Sequence, residues 1–176
     1  MPPIDDSIAF VPVRIAVLTV SDTRTRENDT SGDTLAQRIA DAGHVLADRT
    51  IVRDDVATIR AQLQQWIEDR QIDVAITTGG TGLTGRDVTV EAIKPLFEKE
   101  IDGFSAIFHR ISYEKIGTST LQSRACAGIA GGTYIFALPG STGAVKDGWD
   151  GILKYQLDIR HKPCNFVEIM PRLMER

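Results

Sequence analysis

The sequence predicts an α/β domain: a mostly parallel sheet covered by helices on both sides. Three observations lead there. Several apolar runs are short, β-branched and almost unbroken, as Val13-Arg14-Ile15-Ala16-Val17-Leu18-Thr19-Val20 is. Between them, apolar residues recur at helical spacing, and the loops that follow the runs are polar and rich in glycine. Strands buried on both faces read as continuous apolar stretches, and their alternation with helices is the pattern of parallel crossovers.

The run over 13–20 is the first strand, and Ser21-Asp22-Thr23-Arg24 ends it in a polar loop that extends through Asn28. Thr30-Ser31-Gly32-Asp33 supplies cap-type residues ahead of Leu35, Ile39 and Ala42, with Gly43 as a helix stop. Val45 to Val52 reads as a second, weaker strand. Asp54-Asp55 then precedes a helix with Ile59, Leu63, Trp66 and Ile67 on one face. Val74-Ala75-Ile76 is a third strand and runs into Thr77-Thr78-Gly79-Gly80-Thr81-Gly82. Thr89 and Glu91 open a helix through Leu96 that Pro95 limits. Phe104, Ile107, Phe108 and Ile111 repeat at helical spacing, and the small-residue segment Leu121 to Ala130 reads as a second tight helix. Thr133 to Leu138 is a strand closed by Pro139-Gly140-Ser141, and a last helix runs from about Ala144 to Leu157, with Trp149, like Trp66, in the core.

A chain of 176 residues fits one domain and buries enough surface to need no disulfide or metal staple. We expect that domain to span 1–176, with 1–12 and the last few residues flexible. The start Met1-Pro2-Pro3-Ile4-Asp5-Asp6 carries no basic or apolar leader and no run is long enough for a bilayer, so a cytoplasmic protein without membrane contact is expected. Cys126 and Cys164 have no metal-type spacing and read as free buried thiols. His44, His109 and His161 stand alone, which argues against a zinc site built by the protein. The net charge of −4, with basic and acidic residues interleaved, argues against nucleic acid as a partner.

Ligands in parallel α/β sheets collect where loops leave the carboxyl ends of strands. Ser21-Asp22, Thr77–Gly82 and Pro139-Gly140-Ser141 all hold such positions, and they line one pocket if their strands are neighbours. The loop Thr78-Gly79-Gly80-Thr81-Gly82 has the composition of a phosphate cradle, since glycine lets backbone amides approach an anion and threonine adds donors. It is neither the dinucleotide fingerprint nor the nucleotide P-loop. A tight strand–helix turn that needs glycine only for its geometry is the alternative. Asp54, Asp55 and Asp87 flank this loop, and magnesium between carboxylates and phosphate would reconcile their charges. Helix capping is the alternative for all three. Arg86 and Lys146 are candidate neutralising cations; Ser31, Ser119, Thr120, Ser123 and Arg124 are further polar candidates.

Thr77–Gly82 followed by Arg86-Asp87-Val88-Thr89 resembles the signature of the MogA/MoaB family of molybdenum cofactor biosynthesis proteins. Leu138-Pro139-Gly140-Ser141, and Ser21-Asp22-Thr23-Arg24 with Asp29-Thr30-Ser31-Gly32, resemble its other motifs. Gly117 to Ala125 and Arg160-His161-Lys162-Pro163-Cys164-Asn165-Phe166 are similar to the MoaB branch, so the likeness runs from about Arg14 to Phe166. It implies a three-layer αβα sandwich, assembled as a trimer or, in that branch, a hexamer. It also implies a molybdopterin adenylyltransferase, which moves AMP from Mg-ATP to the terminal phosphate of molybdopterin and releases pyrophosphate. Carried over by position, Asp54 and Asp87 are the catalytic acids that organise Mg2+ and the attacking phosphate. Ser21, Asp22, Thr78, Gly79, Gly80, Thr81 and Gly82 hold phosphate, while Ser123, Pro139, Gly140 and Ser141 line the pterin pocket. Other enzymes of the pathway are implied as partners. Some MoaB-type proteins have lost the acids; this chain keeps both. The resemblance leaves two alternatives: a non-catalytic molybdopterin carrier and a scaffold, the latter expected to show a large exposed apolar patch beyond the oligomer interface.

Overall fold

The computed structural model describes residues 3–176. Six strands form one sheet in the order β2-β1-β3-β6-β5-β4. These are β1 (Arg14–Val20), β2 (Val45–Val52), β3 (Val74–Thr78), β4 (Lys99–Glu100), β5 (Cys126–Ala130) and β6 (Thr133–Leu138). β2, β1, β3 and β6 are parallel, while β5 runs antiparallel to β6 and β4 to β5.

Alternate residues of the central strands feed two separate cores, as a pleated strand requires. Ile15, Val17, Val74, Ile76 and Phe136 pack with Leu35 and Ile39 of α1 (Thr30–Asp41) and with Phe104 and Phe108 of α4 (Asp102–Ile116). On the other face Ala16, Leu18, Ala75 and Ile135 meet Ile59, Leu63 and Trp66 of α2 (Val56–Glu68) and Ala92 and Ile93 of α3 (Thr89–Ile93). Two helical layers therefore sandwich a sheet whose middle is fully buried, which is the three-layer αβα arrangement. Trp66 and Trp149 are both core residues.

Several boundaries differ from the sequence reading. Leu121 to Ala130 is not a helix: a 3-10 turn over Gly117–Gln122 is followed by β5. At one position of the strand a neighbour takes the side chain's space: a Cβ on Gly128 would lie 2.3 Å from the Phe97 ring. The last long helix starts earlier than expected, at Thr142, where Ser141 caps α5 (Thr142–Gly148) by accepting from the Ala144 N–H at 3.1 Å. It continues through a π-helical turn (Trp149–Leu153) into α6 (Lys154–Gln156). Two short elements, β4 and α7 (Phe166–Ile169), gave no recognisable pattern. Cys126 is buried as expected, but Cys164 is exposed.

The segment expected to be flexible, 1–12, begins outside the described residues at 1 and 2. Beyond them the Asp5 amide donates to the Arg160 carbonyl at 2.8 Å, and Ile4 bridges His161. The Val13 amide donates to Nδ1 of His44 at 3.1 Å, so that nitrogen carries no proton, and burial lowers the pKa of the ring.

One charged cluster is buried behind the first loop. Asp29, with no exposed surface, caps α1 through the Gly32 amide at 3.0 Å and accepts from the Thr19 hydroxyl at 2.8 Å. It is also paired with Arg49 of β2 at 2.9 Å. Arg49 reaches Asp33 as well, at 2.7 Å, and its Nε has no partner among the described residues.

Candidate functional site

Because β1, β3 and β6 are adjacent and parallel, the loops leaving their carboxyl ends meet. The contacts are close. A Cβ on Gly79 would lie 2.3 Å from the Val20 carbonyl oxygen at the end of β1, and one on Gly140 would lie 3.2 Å from the Gly79 Cα. The Gly79 amide donates to the Leu138 carbonyl at 3.0 Å and the Thr78 hydroxyl to the Pro139 carbonyl at 3.0 Å. Glycine is required twice in the turn, where Gly79 and Gly80 have φ of 100° and 70°.

The turn folds back on α3. The Thr89 amide donates to the Gly80 carbonyl at 3.0 Å and the Thr89 hydroxyl to the Gly79 carbonyl at 2.8 Å. With the carbonyls engaged this way, the N–H groups of Gly80, Thr81, Gly82 and Leu83 donate to no acceptor among the described residues. Four successive free amides on a glycine turn ahead of a helix make a concavity suited to an anion.

Carboxylates border that concavity. A Cβ on Gly80 would stand 3.3 Å from Asp54 Oδ1, and one on Gly82 only 2.6 Å from Asp87 Oδ2, so each acid rests against a glycine of the loop. The capping alternative holds for Asp55 alone, which accepts from the Thr58 amide at 2.8 Å. Asp54 accepts no hydrogen bond among the described residues. Burial, followed by the charge of Asp22, raises its pKa. Asp87 does not cap α3, whose first flanking residue is Val88. Its Oδ2 closes the turn after the glycines by accepting from the Thr84 amide at 3.0 Å and hydroxyl at 2.8 Å, and Oδ1 meets no donor among the described residues. An under-neutralised Asp54 and a half-used Asp87 beside free amides fit a divalent cation shared with phosphate oxygens. No cluster of three or more His, Cys, Asp or Glu poised for a metal occurs among the described residues.

Asp22 joins this rim with a different task. Its Oδ1 accepts from the Asp54 amide at 3.2 Å and its Oδ2 from Nε of Arg86 at 3.0 Å, and the Arg86 hydrogen bond holds its pKa low. Sequence reading listed both residues without pairing them, since they lie far apart in the chain. Ser21 is used locally, accepting from the Thr23 and Arg24 amides at 3.1 and 3.0 Å. Ser123 accepts from the Ala125 amide at 3.3 Å and sits beside Arg124, whose amide donates to the Thr81 carbonyl at 2.9 Å.

Next to the third loop, a cavity of about 260 Å³ is lined by Ser141, Gly143, Lys146, Lys115 and Asp147 among others. Lys115, ion-paired with Asp147, escaped the sequence reading, because only the tertiary fold brings α4 to this loop. A roomier cavity of about 500 Å³ opens beside Ile72, Asp73 and Gly132, at the amino ends of β3 and β6, the wrong end of parallel strands for a ligand. Ser31 and Thr120 are buried, Ser31 against Asp29, and Ser119 is exposed on the 3-10 turn.

Fold and rim together define an α/β protein whose candidate ligand site lies at the carboxyl ends of parallel strands. Residues 16–159 match the family described as "Probable molybdopterin binding domain". The chain is 51% identical over 160 residues to molybdenum cofactor biosynthesis protein B of Escherichia coli (strain K12), spanning 91% of this chain and 94% of that protein. Its counterpart in Staphylococcus carnosus (strain TM300) is 47% identical over 149 residues, with 83% and 87% covered. The crystal structure of a molybdenum cofactor biosynthesis protein B matches with a TM-score of 0.86 at 37% identity, over 96% of this chain and 100% of that one. The tungsten cofactor synthesizing protein MoaB from Pyrococcus furiosus matches with 0.73 at 38% identity, over 81% and 91%. The chain belongs to the MogA/MoaB family of molybdopterin-binding domains, on the side of molybdenum cofactor biosynthesis protein B.

Proposed function

We propose that the protein acts in molybdenum cofactor biosynthesis, in the cytoplasm, as a molybdopterin adenylyltransferase. The observation that carries this reading is the run of free amides from Gly80 to Leu83 set against Asp54 and Asp87. An oxygen of the molybdopterin terminal phosphate attacks the α-phosphorus of ATP, the bond to the bridging oxygen breaks, and pyrophosphate leaves. Such transfers ask little covalent chemistry of a protein; positioning and charge compensation dominate. The glycine loop binds and orients phosphate oxygens through its amides. Asp54 and Asp87 would hold magnesium, which supplies the positive charge that phosphate and carboxylate share. Arg86, now tied to Asp22, adds a cation at the rim. Ser123, Pro139, Gly140 and Ser141 would line the pterin side, with the cavity by Lys115 and Lys146 next to it. No helix among the described residues is long and apolar enough to cross a membrane.

The test is adenylylation itself. Purified protein, molybdopterin, ATP and magnesium yield adenylylated pterin, detected by mass spectrometry. Asp54→Asn and Asp87→Asn each lower the rate on the order of a hundredfold or more. Tight pterin binding without product would sink the catalytic reading and leave a carrier. Unchanged rates in both variants would return the acids to a structural role.

The same reading includes a homo-oligomer, trimer or hexamer. Its support is the apolar surface on α4 and the turn after it, where Ile107, Tyr113, Ile116 and Leu121 are 51%, 59%, 56% and 73% exposed. Light scattering at working concentration is expected to give a mass of three or six chains; a monomeric mass refutes it.

A further inference from the structure

β5 runs against its neighbour β6, with Cys126 opposite Ala137, so the residues entering β5 arrive at the end of the sheet where β6 leaves. Arg124 is delivered there. Its amide donates to the Thr81 carbonyl at 2.9 Å, its Nε to the Gly82 carbonyl at 2.9 Å and its Nη2 to the Asp87 carbonyl at 3.1 Å. The guanidinium also pairs with Glu91 in the first turn of α3, with Nη2 at 3.2 Å from Oε2. One residue thus grips the loop before its bend, after its bend and at the helix it leads into. Two side-chain donors to two carbonyls plus a carboxylate is a geometry that a planar fork of five donors meets and a single ammonium does not.

The grip has a direction. In a trans peptide the carbonyl and the following N–H point to opposite sides. Holding the Thr81 and Gly82 carbonyls toward Arg124 turns the Gly82 and Leu83 amides away from it, and both are among the free donors. Contact with the Asp87 carbonyl fixes the backbone of the residue whose carboxylate presses on Gly82. Arg124 is itself anchored. The carbonyl of Ser123 lies 2.9 Å from Nε2 of His109 on α4, and the Ser123 amide donates to Thr120 at 3.1 Å.

We propose that Arg124 is the positioning residue of the anion loop: its fork aims the amides of Gly82 and Leu83 and sets the backbone of Asp87 for phosphate transfer. It touches no reacting atom; it acts through the loop. The proposal rests on the reading of that loop as the phosphate site.

The test uses the full chain with Arg124→Gln and Arg124→Lys, in two measurements. Hydrogen exchange followed by mass spectrometry reads the amides of Thr84, Asp87 and Thr89, which are hydrogen-bonded inside the gripped segment. Their exchange is expected to rise on the order of tenfold or more in both variants, while peptides from β1 and β3 keep their protection. Steady-state adenylylation reads the consequence: kcat/KM falls about a hundredfold, with KM for ATP raised and kcat lowered, the scale of a misplaced site. Unaltered loop exchange in Arg124→Gln overturns the proposal, and so does full recovery of exchange and rate in Arg124→Lys, since a point charge would then suffice. Should the wild-type protein form no adenylylated pterin while the variants still loosen the loop, the positioning role stands and the adenylylation reading falls. If Arg124→Gln fails to fold, Glu91→Gln is expected to raise exchange at the same amides by a smaller factor; no rise overturns the proposal.

Discussion

Replacing Gly79 by alanine is expected to lower the melting temperature by roughly 10 °C or more and, in the proposed adenylylation, to abolish product formation. Two penalties add. At φ of 100° an L side chain is strained, and its Cβ would lie 2.3 Å from the Val20 carbonyl oxygen, a backbone atom that cannot rotate aside. The end of β1 must then separate from the loop after β3, which also disturbs the Gly79–Leu138 hydrogen bond. Together these are worth about 4 kcal/mol, at the top of the range for one substitution, and a chain of this size loses ~2–4 °C per kcal/mol. Gly103→Ala is the control, because nothing lies within 4 Å of a Cβ there and the position is helical. Thermal unfolding of the two variants checks this. Equal stability in Gly79→Ala and Gly103→Ala would mean that the three loops tolerate separation and that the close contact is not what shapes the site.

The second large effect is expected at Asp29. Asp29→Ala leaves Arg49, whose side chain is 9% exposed, with the exposed Asp33 as its carboxylate partner and a long 3.4 Å contact to the backbone carbonyl of residue 29, and removes the cap on α1. Stranding a buried charge costs about 3–5 kcal/mol, here toward the lower end because Asp33 remains; the melting temperature drops by roughly 6–12 °C. The pH dependence follows from the same contacts. Burial alone would raise the Asp29 pKa; it is outweighed by Arg49, Thr19 and the Gly32 amide, and the net direction is down from 3.8. With the folded value below the unfolded one, the stabilisation is complete above pH 3.8 and fades as pH falls through the folded pKa. Acid unfolding of the wild type should therefore steepen below about pH 4, and Asp29→Asn should flatten that slope. Parallel acid slopes would show that the pair contributes no such linkage.

Much of this architecture was legible because burial on both faces writes itself into a strand as an unbroken apolar run. β1, β3 and β6 were found this way, and with them the three loops of the rim. β5 was not, since Gly128 must admit the Phe97 ring and the strand is otherwise Cys126, Ala127, Ile129 and Ala130. A run of small residues carries no period that separates helix from strand. Its misreading hid the antiparallel pair and, with it, the reason Arg124 reaches the glycine loop. Composition found the loop and its acids but not how they differ. Asp54, Asp55 and Asp87 are one residue type in similar settings. Only coordinates separate a helix cap, a turn closure and a carboxylate with no donor. The Arg86–Asp22 pair was equally hidden, because a contact across 64 positions leaves no mark on local spacing.

The place of β6 between β3 and β5 also bears on how the protein is made. During synthesis the first three strands emerge together and can pair as β2-β1-β3, with β3 presenting a bare, apolar edge. The strand that covers that edge is the last of the six to leave the ribosome. Until Thr133–Leu138 is inserted, the nascent chain carries an open template for mispairing with its neighbours, a surface for chaperones rather than for pterin. Ligand has nothing complete to grasp before that moment. A polypeptide cut short ahead of Leu138 is therefore a sheet with its middle missing, prone to aggregate rather than to work at a reduced rate.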